Sequence, residues 1–219
     1  TSIRKMRIKN KEVTEIYKEA YRSSVKYIDE TIEEVVHFLQ NKYPNTIFII
    51  TSDHGEPFME HGIFNHEPFS LYNELIRIPL LIHLPSGETK KITDTVSALS
   101  IPKTICSILH INNANFMGTD MVNHSEKSEL NHISRILYKC RSPHVRLGIL
   151  DNRTKITGFS ELWSYTTPEY KYIVKSNEGR EEFYDLQSDP LEKTNIKGKS
   201  IKARIEARRI LKNYITNIV

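Results

Sequence analysis

Thr46-Ile47-Phe48-Ile49-Ile50-Thr51-Ser52-Asp53-His54-Gly55 is the stretch on which the reading of this chain turns. Its first half is a nearly continuous apolar run rich in β-branched residues, the pattern of a strand buried on both faces in a parallel sheet. Its second half is abruptly polar. In open α/β sheets ligands bind beyond the carboxyl ends of the strands, so the polar end of this run is where chemistry is expected.

Upstream, Val13 to Lys42 carries Ile16, Ala20, Val25, Ile28, Ile32, Val35, Val36 and Leu39 at three- and four-residue intervals, which predicts one long amphipathic helix ended by Pro44. Downstream, Ile76 to Leu84 is a second apolar run containing Pro79, and a proline there predicts an edge or bulged strand. Asp94 to His110 reads as a connector and a helix, and the polar stretch Asn123 to Asn131 breaks the pattern. From about residue 132 the character changes to strand-like pieces, Arg146 to Leu150, Tyr170 to Lys175 and Glu182 to Leu186, the last two joined as a hairpin through Asn177-Glu178-Gly179. Ser200 is placed to cap a final helix with Ile201, Ile205, Leu211, Tyr214, Ile215 and Ile218 along one stripe. The expected division is therefore an α/β part over residues 1–135 and an α+β part over 136–219, the latter an antiparallel sheet with a C-terminal helix.

Composition excludes several classes. With 219 residues, 38% of them hydrophobic, the chain can bury a substantial core. The formal charge of +4, from 31 basic and 27 acidic residues, is spread along the sequence and argues against a nucleic acid partner. Cys106 and Cys140 make neither a disulfide framework nor a zinc spacing. No run approaches the ~18 apolar residues that span a bilayer, and Thr1 to Asn10 shows no apolar targeting core. A natural N-terminus at Thr1 would place the chain in the cytoplasm.

Between Thr51 and Glu74 lie Asp53, His54, Glu56, Glu60, His61, His66, Glu67 and Glu74, a density of metal-capable side chains unmatched elsewhere in the sequence. A carboxylate beside an imidazole offers a hard oxygen and a borderline nitrogen to a divalent cation. From composition alone, a helix cap next to a hydrogen-bonded histidine would look the same. His61 reads as a structural histidine, Arg77 as the partner of a core carboxylate, and Asp185 and Asp189 as turn formers.

Three quoted segments carry a resemblance. Ser52-Asp53-His54-Gly55-Glu56, then Glu60-His61-Gly62, then Leu71-Tyr72-Asn73-Glu74-Leu75-Ile76-Arg77-Ile78-Pro79-Leu80 resemble, in order and spacing, the second metal-binding segment of the sulfatases, members of the alkaline phosphatase-like superfamily. Phe183-Tyr184-Asp185-Leu186-Gln187-Ser188-Asp189-Pro190-Leu191-Glu192-Lys193-Thr194-Asn195-Ile196 is similar to the family's C-terminal signature, and Tyr17, Tyr21, Val25, Tyr27, Asp29 and Glu30 match its preceding helix.

The resemblance implies an α/β fold with part of an alkaline phosphatase-like parallel layer in residues 1–135. It implies that Asp53 and His54 are ligands of one divalent metal ion, calcium in the main, with manganese or zinc in relatives using the Asp-His version. Many sulfatases place a sulfate-contacting lysine twelve positions after the second ligand; here that position holds His66. Histidine there could donate to an anionic oxygen or protonate a leaving group. The implied substrate is a sulfate ester on a small molecule or glycan, with a phosphate monoester or diester as the alternative, and an inactive binding remnant as a third possibility. The family's nucleophile, a formylglycine made from the first residue of C/S-x-P-x-R, has no match: Cys106 is followed by Ser107-Ile108-Leu109 and Cys140 by Arg141-Ser142-Pro143. The chain thus reads as a C-terminal portion, expected to associate with a missing N-terminal half or with itself.

Overall fold

A computed structural model describes residues 11–64, 70–87, 91–92, 96–112, 115–116, 118–122, 132–141, 156–175, 180–196, 198 and 201–218. They form two compact units: residues 1–67 with 72–91, and residues 68–71 with 92–219.

The first unit opens with α1, Lys11–Lys42. Its sequence is rich in Glu and Lys, good helix formers, and Glu15–Lys18 (3.6 Å) and Lys26–Glu30 (3.7 Å) pair along its surface with Glu19–Arg22. Such exposed pairs contribute a few tenths of a kcal/mol each. Pro44 cannot continue the helix, and the chain turns through a bond from the Tyr43 amide to the Leu39 carbonyl (2.7 Å). The apolar stripe is present as expected, but it is not buried within the unit: Ile16, Val25, Ile28, Val35 and Phe38 are all exposed.

β1, Phe48–Thr51, follows, then α2, Asn73–Ile76, and β2, Leu80–His83. β1 pairs with β2 antiparallel, in the register Phe48↔His83 to Thr51↔Leu80. This differs from the sequence expectation of a strand with parallel neighbours and two buried faces. The intervening chain reverses direction through the single turn of α2, and Phe48, Ile49 and Ile50 are half-buried. No parallel pairing occurs among the described residues. Pro79 sits just before β2, where its missing N–H costs the ladder nothing, and its carbonyl accepts a bond from the Thr51 hydroxyl at 2.8 Å.

The second unit contains α3, Ser100–Ile108, and a four-stranded antiparallel sheet in the order β3-β4-β5-β6: His132–Arg141, Ile156–Thr166, Tyr170–Lys175 and Arg180–Asp185. The helix α4, Ile201–Ile218, follows. Trp163, Tyr165, Tyr172 and Phe183 project from β4, β5 and β6 into one core with Ala207 and Leu211 of α4. Arg204 reaches Glu181 of β6 at 2.7 Å and Arg208 reaches it at 3.4 Å, so two charge pairs fix the helix on the sheet. Ile205, assigned to the apolar stripe from the sequence, is exposed, and Ala207 occupies the contact instead. A small residue there lets the helix axis approach the aromatic face closely. Leu162, Ile173 and Tyr184 are also buried, so β4, β5 and β6 are covered on both faces.

Beyond β6, Asp185 accepts bonds from the Gln187 and Ser188 amides (3.0 and 3.3 Å) and the Ser188 hydroxyl (2.8 Å), while Asp189 accepts from the Thr194 amide (2.7 Å). Both aspartates are turn formers, as their sequence context predicts. The expected strand Arg146–Leu150, the polar stretch Asn123–Asn131, the hairpin turn 177–179 and the Ser200 cap lie outside the described residues.

Candidate metal centre

All described parts of the candidate site belong to the first unit. They begin where β1 ends. The Ser52 hydroxyl donates to the His54 carbonyl at 2.6 Å, and the His54 amide donates to Asp53 Oδ1 at 2.9 Å. These two local bonds fold the backbone back at the strand terminus and turn both side chains to one side. The ring of His54 is oriented by its Nδ1, which lies 2.7 Å from the Gly55 carbonyl. A carbonyl only accepts, so Nδ1 carries a proton, and in the neutral ring the lone pair is then on Nε2. Nε2 lies 3.6 Å from Asp53 Oδ2.

That separation is informative. With donors about 2.2 Å from an ion, two neighbouring ligands stand roughly 3.1–3.6 Å apart for angles between 90° and tetrahedral. An acceptor oxygen and a nitrogen lone pair at this distance make no hydrogen bond with one another when the ring is neutral. A shared cation would take both as ligands. The ring proton held on a backbone carbonyl is also the arrangement that orients metal-bound histidines. Both groups are substantially exposed, at 87% for Asp53 and 40% for His54. No group of three His, Cys, Asp or Glu side chains suited to a metal occurs among the described residues. Asp53 and His54 are thus two candidate donors, one fewer than such a group requires.

Gly55 is the hinge between this pair and the rest of the unit. Its amide donates to the Leu75 carbonyl at 2.7 Å. A Cβ on residue 55 would stand 2.1 Å from the Glu74 carbonyl oxygen, so only glycine fits. From Gly55 the chain passes through Pro57, which is fully buried, into a tight loop closed by a bridge between Phe58 and Phe64. Tyr17 and Tyr21, one turn apart on α1, meet Phe64 and Phe58 edge-on at 4.8 and 5.2 Å. The loop turns through positive φ at Met59 and Gly62, both +72°.

His61, at the tip of that loop, is only 10% exposed, and its Nδ1 lies 2.5 Å from Glu74 Oε1. Its ring stacks on Tyr72 at 3.6 Å and 9°. This is the structural role read for His61 from the sequence. The roles of Glu74 and Tyr72 were not legible there, because a contact across thirteen residues leaves no periodic signal. Glu60 is exposed and accepts a hydrogen bond from the Phe58 amide on its carboxylate at 2.5 Å. Arg77 is exposed at the end of α2, its amide on the Asn73 carbonyl, and is paired with no carboxylate among the described residues. α2 is a single turn that ends on the surface, which leaves the Arg77 side chain exposed. His66 lies outside the described residues.

A family model described as Sulfatase matches residues 7–111, the segment that contains this site. The chain is 27% identical over 176 residues to "Uncharacterized sulfatase YidJ" of Escherichia coli (strain K12), covering 78% of this chain and 32% of that protein. It is 29% identical over 212 residues to the arylsulfatase of Clostridium perfringens (strain 13 / Type A), covering 92% of this chain and 40% of that one. The solved structure of BT1596, a 2-O GAG sulfatase, matches with a TM-score of 0.76 at 22% identity, covering 95% of this chain and 45% of that one. This likeness is one of fold, and it agrees with the α/β, alkaline phosphatase-like class expected from the sequence. The chain thus spans about a third to under half the length of these relatives.

Proposed function

Because the chain belongs to the sulfatase family, we propose that it supplies the Asp53–His54 half of a divalent-metal centre in a hydrolase of sulfate esters, carried on small molecules or glycans. The observation that supports this is the pairing of a Nδ1-protonated His54 with a carboxylate oxygen 3.6 Å from its other nitrogen. Calcium suits the carboxylate, and manganese or zinc suits the imidazole equally well. An ion bound there neutralises charge on a sulfate oxygen and favours the ionised form of a nearby nucleophile.

The chain's own residues then divide the work. Asp53 supplies anionic charge, His54 a directional nitrogen, and Gly55 and Leu75 the fixed backbone that holds them in register. His66, in the position that the family resemblance gives to a sulfate-contacting lysine, donates a hydrogen bond to an anionic oxygen or a proton to the leaving alcohol. The 219 residues contain no C/S-x-P-x-R. The nucleophile and the remaining ligands accordingly come from a complementary N-terminal portion of the fold, which covers the apolar face of α1.

His66 in place of lysine favours a second reading, a phosphate monoester or diester hydrolase, since a histidine serves as a proton donor to an alkoxide as readily as it contacts sulfate. Manganese titration followed by NMR tests the metal site. The His54 ring resonances broaden first in the wild type and remain sharp in Asp53→Ala; equal behaviour of the two refutes the site. Parallel assays with aryl sulfate and aryl phosphate, run with the portion that supplies the nucleophile, separate the two ester classes. Turnover that vanishes in Asp53→Ala would exclude a binding remnant.

A further inference from the structure

We propose that His61 and Glu74 form a positioning latch that fixes the tautomer and placement of His54; the metal-binding consequence of this latch rests on the reading given above. The contacts close a ring. Residue 75 receives the Gly55 amide at 2.7 Å, and residue 74 presses its carbonyl against the Gly55 Cα where no side chain fits. The same residue 74 sends its carboxylate to His61 at 2.5 Å. His61 belongs to the loop that starts immediately after Gly55, so the loop leaves the hinge and returns to the helix turn that grips it.

The far side of the Gly55 residue is the carbonyl that accepts the His54 ring proton. Holding residue 55 from both ends therefore sets the direction of that carbonyl, and the carbonyl sets which ring nitrogen carries the proton. Stacking of His61 on Tyr72 keeps the latch in plane, and the low exposure of both partners (10% and 15%) keeps water from competing for the bond. Without the latch, Gly55 keeps one amide bond to Leu75, and its peptide group can rotate. The contacts of His61 and Glu74 include each other, Tyr72 and the Gly55 backbone. Both act through the backbone.

Long-range 15N–1H spectra of the imidazole rings test this on the full chain. Wild-type His54 reads as the Nδ1-H tautomer. In His61→Ala the His54 signal becomes a mixture of tautomers, and the manganese concentration needed to broaden it rises roughly tenfold or more, the usual cost of losing an outer-shell partner. His61→Asn, whose amide nitrogen takes the place of Nδ1 toward Glu74, restores most of the single tautomer. Amide resonances of β5 and β6 stay in place in every variant, which separates a local change from misfolding. A His54 tautomer unchanged in His61→Ala overturns the latch even if manganese binds. Manganese that acts alike on wild type and Asp53→Ala overturns the metal reading, while the tautomer measurement still decides the latch.

Discussion

Lys171 on β5 and Glu192, beyond the turn that follows β6, form an ion pair of 2.7 Å with neither side chain exposed. Glu192 adopts a left-handed backbone (φ +55°), a conformation that costs a non-glycine residue roughly 1–2 kcal/mol. The pair holds the segment after β6 against the sheet and offsets that strain.

Removing one partner leaves the other charge buried. Glu192→Ala is expected to destabilise the second unit by about 3–5 kcal/mol, whereas the double replacement Lys171→Met with Glu192→Leu costs much less. Urea unfolding followed by Trp163 fluorescence measures both. Equal losses in the single and double variants would contradict the assignment.

Gly55→Ala sets a methyl group against a backbone carbonyl with no flexible end to move aside. An unfolding cost of about 1–3 kcal/mol is expected, as for overpacked cores, together with loss of the single His54 tautomer. Serine at 55 behaves the same way. Wild-type stability in Gly55→Ala would show that the Gly55–Glu74 approach is not as close as described.

Acid stability carries a signature of the Asp185 turn. The Ser188 hydroxyl, then the Ser188 and Gln187 amides, hold the Asp185 carboxyl below its usual range, with a small opposing effect of desolvation. A carboxylate with a depressed folded value stabilises the fold above its unfolded value of about 3.9, and that contribution is lost as pH falls through the folded value. Asp185→Asn should therefore flatten the stability profile below about pH 4 and leave its shape near neutrality unaltered. Denaturant midpoints measured from pH 2 to 7 provide the check.

The exposed apolar residues of α1, among them Ile28, Phe38 and Tyr27, make the isolated chain prone to association. Sedimentation should show a concentration-dependent shift to larger species, reduced in Ile28→Lys with Phe38→Glu. A wild type that stays monomeric at high concentration would count against a covering partner for this face.

Much of this was legible in the residues. Val13 to Lys42 announced α1 through its three- and four-residue spacing, and Tyr170 to Lys175 announced β5 through its β-rich composition and bordering turns. The motif order around Ser52-Asp53-His54-Gly55 pointed to the candidate site. β3 and β4 were not foreseen: Gly158, Ser160 and Glu161 weaken the strand pattern of β4, and its partners β3 and β5 supply the pairing that its own sequence does not signal. The antiparallel pairing of β1 was missed because an apolar run records burial, not the direction of the neighbouring strand. The Glu74–His61 contact was missed for a related reason, since it depends on where Gly55 lets two loops meet.

Two ladders of unequal length have a kinetic consequence. β1 and β2 share four residue pairs, whereas β5 sits between two strands in a sheet covered on both faces. Deuterium should enter the Phe48–Thr51 amides long before those of Tyr172 and Ile173. On heating, the Asp53–His54 geometry would then be lost while the aromatic sheet still stands, so the His54 ring resonances would change at a lower temperature than the Trp163 fluorescence.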